Sequence, residues 1–222
     1  NSDVTYFKSV FDGKWYFPLS RNNRWSFLAR VRLGYGNGYG DINGNEQILP
    51  FTENFTAGGA DSLRGFENNT VGPRGLLVSS PGNIIGPDGE AFPTDPADAV
   101  ISWSRQSLGG NAMALGGIEL IVPTPFVEAD MDNSVRTSLF VDVGNVWDTE
   151  FDYERFRQLN VSPNQQGELL DYSDWTLYRS SAGLSVQWVS PMGPMVFSFS
   201  RMIQERDGDD ARFFTFNIGQ TF

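Results

Sequence analysis

The 222-residue chain contains no cysteine and no histidine. Without cysteine it forms no disulfide and carries no thiolate nucleophile, and without histidine it has no imidazole base for a catalytic dyad. A zinc site of the usual His/Cys kind is excluded by both absences, and no cofactor is expected. Long apolar runs are also lacking. No stretch approaches the ~20 consecutive apolar residues that a spanning helix needs, and the mean hydropathy is −0.31. Positive charge is scarce, with 16 Lys and Arg against 27 Asp and Glu for a net charge of −11. A phosphate-binding surface is basic, so no nucleic-acid partner is expected. Acidic loops on a cell surface suit this balance.

What the chain does have is aromatic side chains, 14% of residues with 18 Phe, placed in alternation. Barrel strands in a membrane alternate lipid-facing apolar and lumen-facing polar residues over ~10 positions. From Thr5 to Phe17 the odd positions include Phe7, Phe11, Trp15 and Phe17, and the even ones Lys8, Asp12 and Lys14. After a Pro18–Asn23 turn, Trp25, Phe27, Ala29, Val31, Leu33 and Tyr35 alternate with Ser26, Arg30, Arg32 and Gly34. Trp15, Phe17, Trp25 and Tyr35 stand where an interfacial girdle is expected. The same residues would be core in a soluble sandwich. Gly36–Asp41 is read as a flexible loop, and a short strand is expected over Phe51–Gly59. Further alternating segments run over 109–122, 135–143, 177–190, 195–202 and 213–222, for about eight strands. The fold class expected is all-β, an antiparallel transmembrane β-barrel. The chain begins at Asn1 within a strand pattern, without initiator methionine or signal peptide, so a fragment of a longer exported protein is expected.

The organising stretch is Gly58-Gly-Ala-Asp-Ser-Leu-Arg-Gly-Phe66, which opens a Gly/Pro-rich segment reaching Leu108. Pro73, Pro81, Pro87, Pro93 and Pro96 exclude a regular helix there, and irregular structure is expected. A loop at 60–108 that folds into a polar lumen can set Arg64 against a carboxylate of the inner wall. Alternation supplies two inward carboxylates, Glu119 and Asp142, on neighbouring strands. Two such acids repel unless a cation lies between them. Spacing leaves several arrangements open: Arg64 between them, pairing with Arg30, Arg32 or Arg136, or simple solvation of the lumen.

Leu63-Arg64-Gly65-Phe66, Phe140-Val-Asp142-Val-Gly-Asn-Val-Trp147, Ser190-Pro-Met-Gly-Pro-Met-Val-Phe-Ser198 and Phe216-Asn-Ile218-Gly219-Gln-Thr-Phe222 resemble the surface-antigen family of outer-membrane barrel insertases. The resemblance covers essentially the whole chain; Leu63 stands where Val or Ile is common. It implies the C-terminal half of a barrel of ~16 strands, with the periplasmic domains absent from this chain. It implies that Arg64 contacts Asp142 and Glu119 beside Phe140, anchoring the loop. The terminal strand, with Phe214, Phe216, Ile218, Gly219 and Phe222, would form one side of a lateral gate. The implied setting is the bacterial outer membrane, the partners outer-membrane lipids, nascent outer-membrane proteins and, through the missing periplasmic part, assembly lipoproteins. The implied activity is folding and insertion of barrel proteins, with no covalent catalysis. A relative that secretes one polypeptide through its pore shares the Arg-Gly-Phe loop and is the alternative. An outer-membrane phospholipase and a diffusion porin fit less well, for want of histidine and because a loop fills the lumen.

Overall fold

The computed structural model describes residues 5–21, 24–42, 45–79, 100–124, 134–151, 172–191, 193–206 and 209–218. In chain order the strands are β1 (Tyr6–Pro18), β2 (Ser26–Gly38), β3 (Asp41–Ile42), β4 (Asn45–Glu46), β5 (Arg74–Ser79), β6 (Val100–Ser107), β7 (Ala112–Val122), β8 (Val135–Trp147), β9 (Arg179–Ser190), β10 (Gly193–Gln204) and β11 (Phe214–Ile218). Seven of them form one antiparallel sheet in the order β1-β2-β7-β8-β9-β10-β11, and β3-β4 and β5-β6 are separate hairpins. Among the described residues β1 and β11 are its two edges. No described helix is long and apolar enough to cross a membrane, which says nothing of a crossing made by strands.

One face of the sheet is apolar and open to the surroundings. Trp15, Phe17, Leu33, Ile118, Leu139, Val141, Val143, Leu184, Trp188, Phe199, Phe214 and Phe216 are all exposed on it. That is the lipid-facing alternation of a barrel wall. Aromatics cluster at strand ends: Phe17 lies tilted against Phe27 beside the β1–β2 turn, and Phe7 against Tyr35 at the other end. Of these four rings that of Tyr35 carries a polar tip, which suits the headgroup level of a membrane.

The opposite, concave face carries polar side chains and a plug. β2 and β7 are hydrogen-bonded neighbours from Ser26↔Ile121 to Tyr35↔Ala112. The chain therefore leaves the wall at the end of β2 and returns to the adjacent strand at the same end. Closing so long an excursion costs little more than closing a short one, because loop entropy grows only with the logarithm of length. Within it Phe55 pairs with Gly110, Ala57 with Val71 and Gly59 with Leu63 as isolated antiparallel bridges. Phe55, Ala57, Leu63, Phe66 and Val71 pack with Met113, Leu115 and Val146 of the wall into a buried apolar cluster.

Three expectations are corrected. Residues 51–59 are no strand: Phe51–Glu53 is a 3-10 turn, followed by the single bridges at Phe55, Ala57 and Gly59. Their N–H and C=O groups bond within the plug, leaving seven wall strands among the described residues where about eight were expected. Gly36–Gly38 is not loop, because Gly36 pairs with Lys8 and Gly38 with Tyr6 as the end of β2. A Cβ on Gly36 would lie 3.0 Å from the Phe7 carbonyl, so glycine here permits close strand approach. The segment after Phe66 is not wholly irregular, since Arg74–Ser79 and Val100–Ser107 pair as a hairpin. Pro73 precedes that ladder and removes no bond from it. Residues 80–99, with the other four prolines, lie outside the described residues.

Candidate functional site: a buried ion cluster on the concave wall

Arg64 enters the wall from the plug through a tight turn. Gly59 N–H donates to the Phe66 carbonyl at 3.0 Å, while Gly58 N–H donates to the Ser62 hydroxyl at 2.9 Å. Gly65 has φ +92°, and a Cβ there would stand 3.0 Å from Ser181 Cβ. Only glycine adopts that backbone at no steric cost, and only glycine fits against β9. The turn leaves Leu63 and Phe66 in the apolar cluster and aims Arg64 between them at β7 and β8.

The guanidinium is satisfied on every side. Nε donates to Asp142 Oδ2 at 2.7 Å and Nη2 to Asp142 Oδ1 at 2.9 Å, a two-pronged bond. Nη2 also stands 2.6 Å from Glu119 Oε1, and Nη1 donates to the Ser185 hydroxyl at 3.3 Å. Arg64 Cζ lies 3.4 Å from the centroid of the Phe140 ring. The Ser181 hydroxyl donates to the Arg64 carbonyl. Arg64 and Glu119 are each 1% exposed and Asp142 is 0% exposed. Charges so far from water persist only when paired; here Asp142 is bonded in a fork by Arg64, while Glu119 Oε1 is held by the charge contact alone and makes no hydrogen bond.

Strand register explains why these groups meet. β7 and β8 pair Gly117↔Asp142 and Glu119↔Phe140, and β8 and β9 pair Asp142↔Ser181 and Phe140↔Gly183. Residues two apart share a face, so Glu119, Asp142 and Phe140 converge on one patch. Next to it the wall is glycine or serine. A Cβ on Gly117 would fall 2.7 Å from Asp142 Oδ1, and one on Gly183 would fall 2.7 Å from Phe140 Cζ. The small residues make the recess that the guanidinium and the ring occupy.

A fourth charge joins the patch: Arg30 Nη2 of β2 lies 2.7 Å from Asp142 Oδ2, and the Ser138 hydroxyl donates to Glu119 Oε2 at 3.1 Å. Arg30 was one of several possible partners on spacing alone; it pairs with Asp142 in addition to Arg64, not in its place. Two arginines face two carboxylates, and the cluster is neutral. Arg32 pairs with Asp12 instead, at 2.6 Å.

A second buried pair escapes the sequence motifs. Arg179, 0% exposed, holds Asp209 through Nε and Nη2 at 3.1 and 3.2 Å and donates from Nη1 to Asn145 Oδ1 at 3.1 Å. Inward alternation of Arg179 was its only signal, and Asp209 sits in a turn where periodicity is silent. At the terminal strand Phe214, Phe216 and Ile218 are exposed on the lipid side, while Thr215 faces inward and is buried. Gly219 and Phe222 lie outside the described residues. Among the described residues no three His, Cys, Asp or Glu gather to hold a metal.

In this arrangement both carboxylates are occupied by arginine. It ties the loop to the wall by ion pairs. A family model, the Omp85 superfamily domain, matches residues 1–222. The chain is 31% identical over 230 residues to the outer membrane protein assembly factor BamA of Neisseria meningitidis serogroup B, covering 100% of this chain and 24% of that protein. It is 26% identical over 223 residues to the BamA of Nitratidesulfovibrio vulgaris, covering 99% and 21%. The crystal structure of BamA from Haemophilus ducreyi lacking POTRA domains 1-3 superposes with a TM-score of 0.74 at 31% identity, over 96% of this chain and 35% of that one. The chain thus spans less than a quarter of the length of these two curated relatives.

Proposed function

Because the chain belongs to the Omp85 superfamily, and is an antiparallel wall of an outer-membrane β-barrel, we propose that the protein folds and inserts other barrel proteins into the outer membrane. The relatives named as assembly factors support this reading over dedicated secretion of one polypeptide. Its substrates are nascent outer-membrane proteins, its surroundings outer-membrane lipids, and assembly lipoproteins dock on periplasmic parts outside this chain.

The observation that carries the reading is the buried latch. A porin that passes solutes needs an open lumen, whereas here a loop is bonded into the wall by Arg64, Glu119 and Asp142. We take residues 60–108 as the inserted loop, with Leu63, Gly65, Phe66 and Phe140 seating the arginine. The last strand, Phe214–Ile218, presents an edge on which an incoming strand can add by backbone pairing. No bond of the substrate is made or broken; strand pairing and lipid burial drive the process.

Depleting the protein in its host and quantifying several unrelated outer-membrane barrels tests the reading. A joint fall of all of them, with periplasmic proteins constant, is the expected result. Loss of a single secreted polypeptide with the barrels intact identifies a secretion pore and overturns it.

A further inference from the structure

Among the described residues the terminal strand has one neighbour, β10, and pairs with it at five positions. The ladder runs from Met195↔Ile218 to Phe199↔Phe214, with one more bond from Ser200 N–H to the Phe213 carbonyl at 2.9 Å, while β10 runs on to Gln204. Instead of extending that ladder, the chain ahead of β11 bends toward the plug. There Phe66 and Ala211 form an antiparallel bridge, in which Glu67 N–H donates to the Asp210 carbonyl at 2.8 Å and Arg212 N–H to the Gly65 carbonyl at 2.9 Å. Side chains add two ties, one at each end of the strand. Arg212 Nη1 lies 2.7 Å from Glu67 Oε1, and Asn217 Nδ2 donates to Asp61 Oδ1 at 2.7 Å. Behind the bend, Asp209 is gripped by Arg179 of β9.

An edge strand with one neighbour has half of its ladder bonds, and the phenylalanines that β11 turns to lipid slide in a fluid without a preferred place. Its position is therefore sensitive to whatever touches its inner side. That is the loop, and the loop is itself immobilised by Arg64, whose carbonyl accepts from Ser181 one residue before Gly65 accepts from Arg212. Consecutive backbone units bond alternately to the wall and to the terminal segment, so neither partner can shift without the other.

We infer that Asp61, Glu67, Arg212 and Asn217 are positioning residues through which the Arg64-anchored loop sets the place of the terminal strand. This deepens the assembly reading, and amide exchange reads it without any assembly assay, so either can fail alone.

The test is hydrogen–deuterium exchange on the intact protein in lipid vesicles, comparing Glu67→Arg, Arg212→Glu and the two combined. The pair is partly exposed, so each single reversal is expected to speed exchange of the 214–218 amides by about two- to fivefold, and the double reversal to restore it. Amides of 113–119 and 138–146 are expected to stay as they were. Asp61→Ala and Asn217→Ala are expected to act alike, and together no more than either alone. Unchanged exchange at 214–218 in every single variant overturns the inference. So does a rise that extends equally into β7 and β8, or a double reversal that fails to rescue.

Discussion

Arg64 lies face-on to Phe140, its guanidinium carbon 3.4 Å from the ring centroid, while the edges of the same group are held by Asp142 and Glu119. The stack fills the one direction in which a planar cation has no hydrogen to donate, and removal of water strengthens it. Lysine is therefore a poor substitute, having neither the plane nor the fork.

Arg64→Ala leaves two buried carboxylates with one arginine, a loss of about 3–5 kcal/mol in the seating of the loop. Arg64→Lys is expected to fall between alanine and wild type. Protease cleavage of the loop in vesicle-embedded protein measures both; full protection of the alanine variant would sink the latch.

Asp142 pairs with both arginines, whereas Glu119 contacts Arg64 and the uncharged Ser138 hydroxyl. Asp142→Asn therefore leaves two cations around one carboxylate and is expected to lower the unfolding temperature more than Glu119→Gln. Adding Arg30→Gln to Asp142→Asn removes the surplus charge and is expected to recover part of the loss. Heat-dependent gel mobility of the folded protein gives the order, and equal effects of the two single variants would contradict this account.

Gly116 and Gly117 are adjacent but face opposite ways. A Cβ on Gly116 meets nothing nearer than 3.7 Å, while one on Gly117 would press on Arg30 and Asp142. Gly116→Ala is expected to be neutral and Gly117→Ala to cost about 1–3 kcal/mol through forced displacement of the ion pair. The same mobility assay applies, and two equally mild variants would argue against a tight recess.

Val141 is at the centre of β8 on the lipid face and Val135 at its start. An arginine at the bilayer midplane costs about 2–4 kcal/mol, but about 0–1 near the interface. Val141→Arg should thus reduce the folded yield in vesicles far more than Val135→Arg. Similar yields would mean that β8 is not centred in the membrane as its register suggests.

Much of the wall was legible because a strand displays its environment with a period of two. Along β7 and β8 that period puts Glu119 and Asp142 on one face, and there they lie. The same rule marked Arg179, Ser181 and Ser185 as inward. It was blind where the chain leaves the period: 51–59 alternates like a strand, yet its backbone bonds inside the plug. Charge pairing between strands was only half visible. Arg30, Arg32 and Arg136 stood as rival partners for one role, and register decided that Arg30 shares Asp142 with Arg64. The recess at Gly117 and Gly183 could not be read either, since a glycine in a strand is silent about what fills the space it leaves.

The apolar plug core has a consequence for how this wall forms. β7 turns Ala114, Ile118 and Leu120 to one side and Met113 and Leu115 to the other. A ribbon greasy on both sides carries no hydrophobic instruction about which side is to meet lipid. Of its eleven residues only Glu119 carries a charge, and a carboxylate turned toward lipid costs free energy that one turned inward does not. The charge that meets Arg64 is therefore also the one that distinguishes the two sides of this strand.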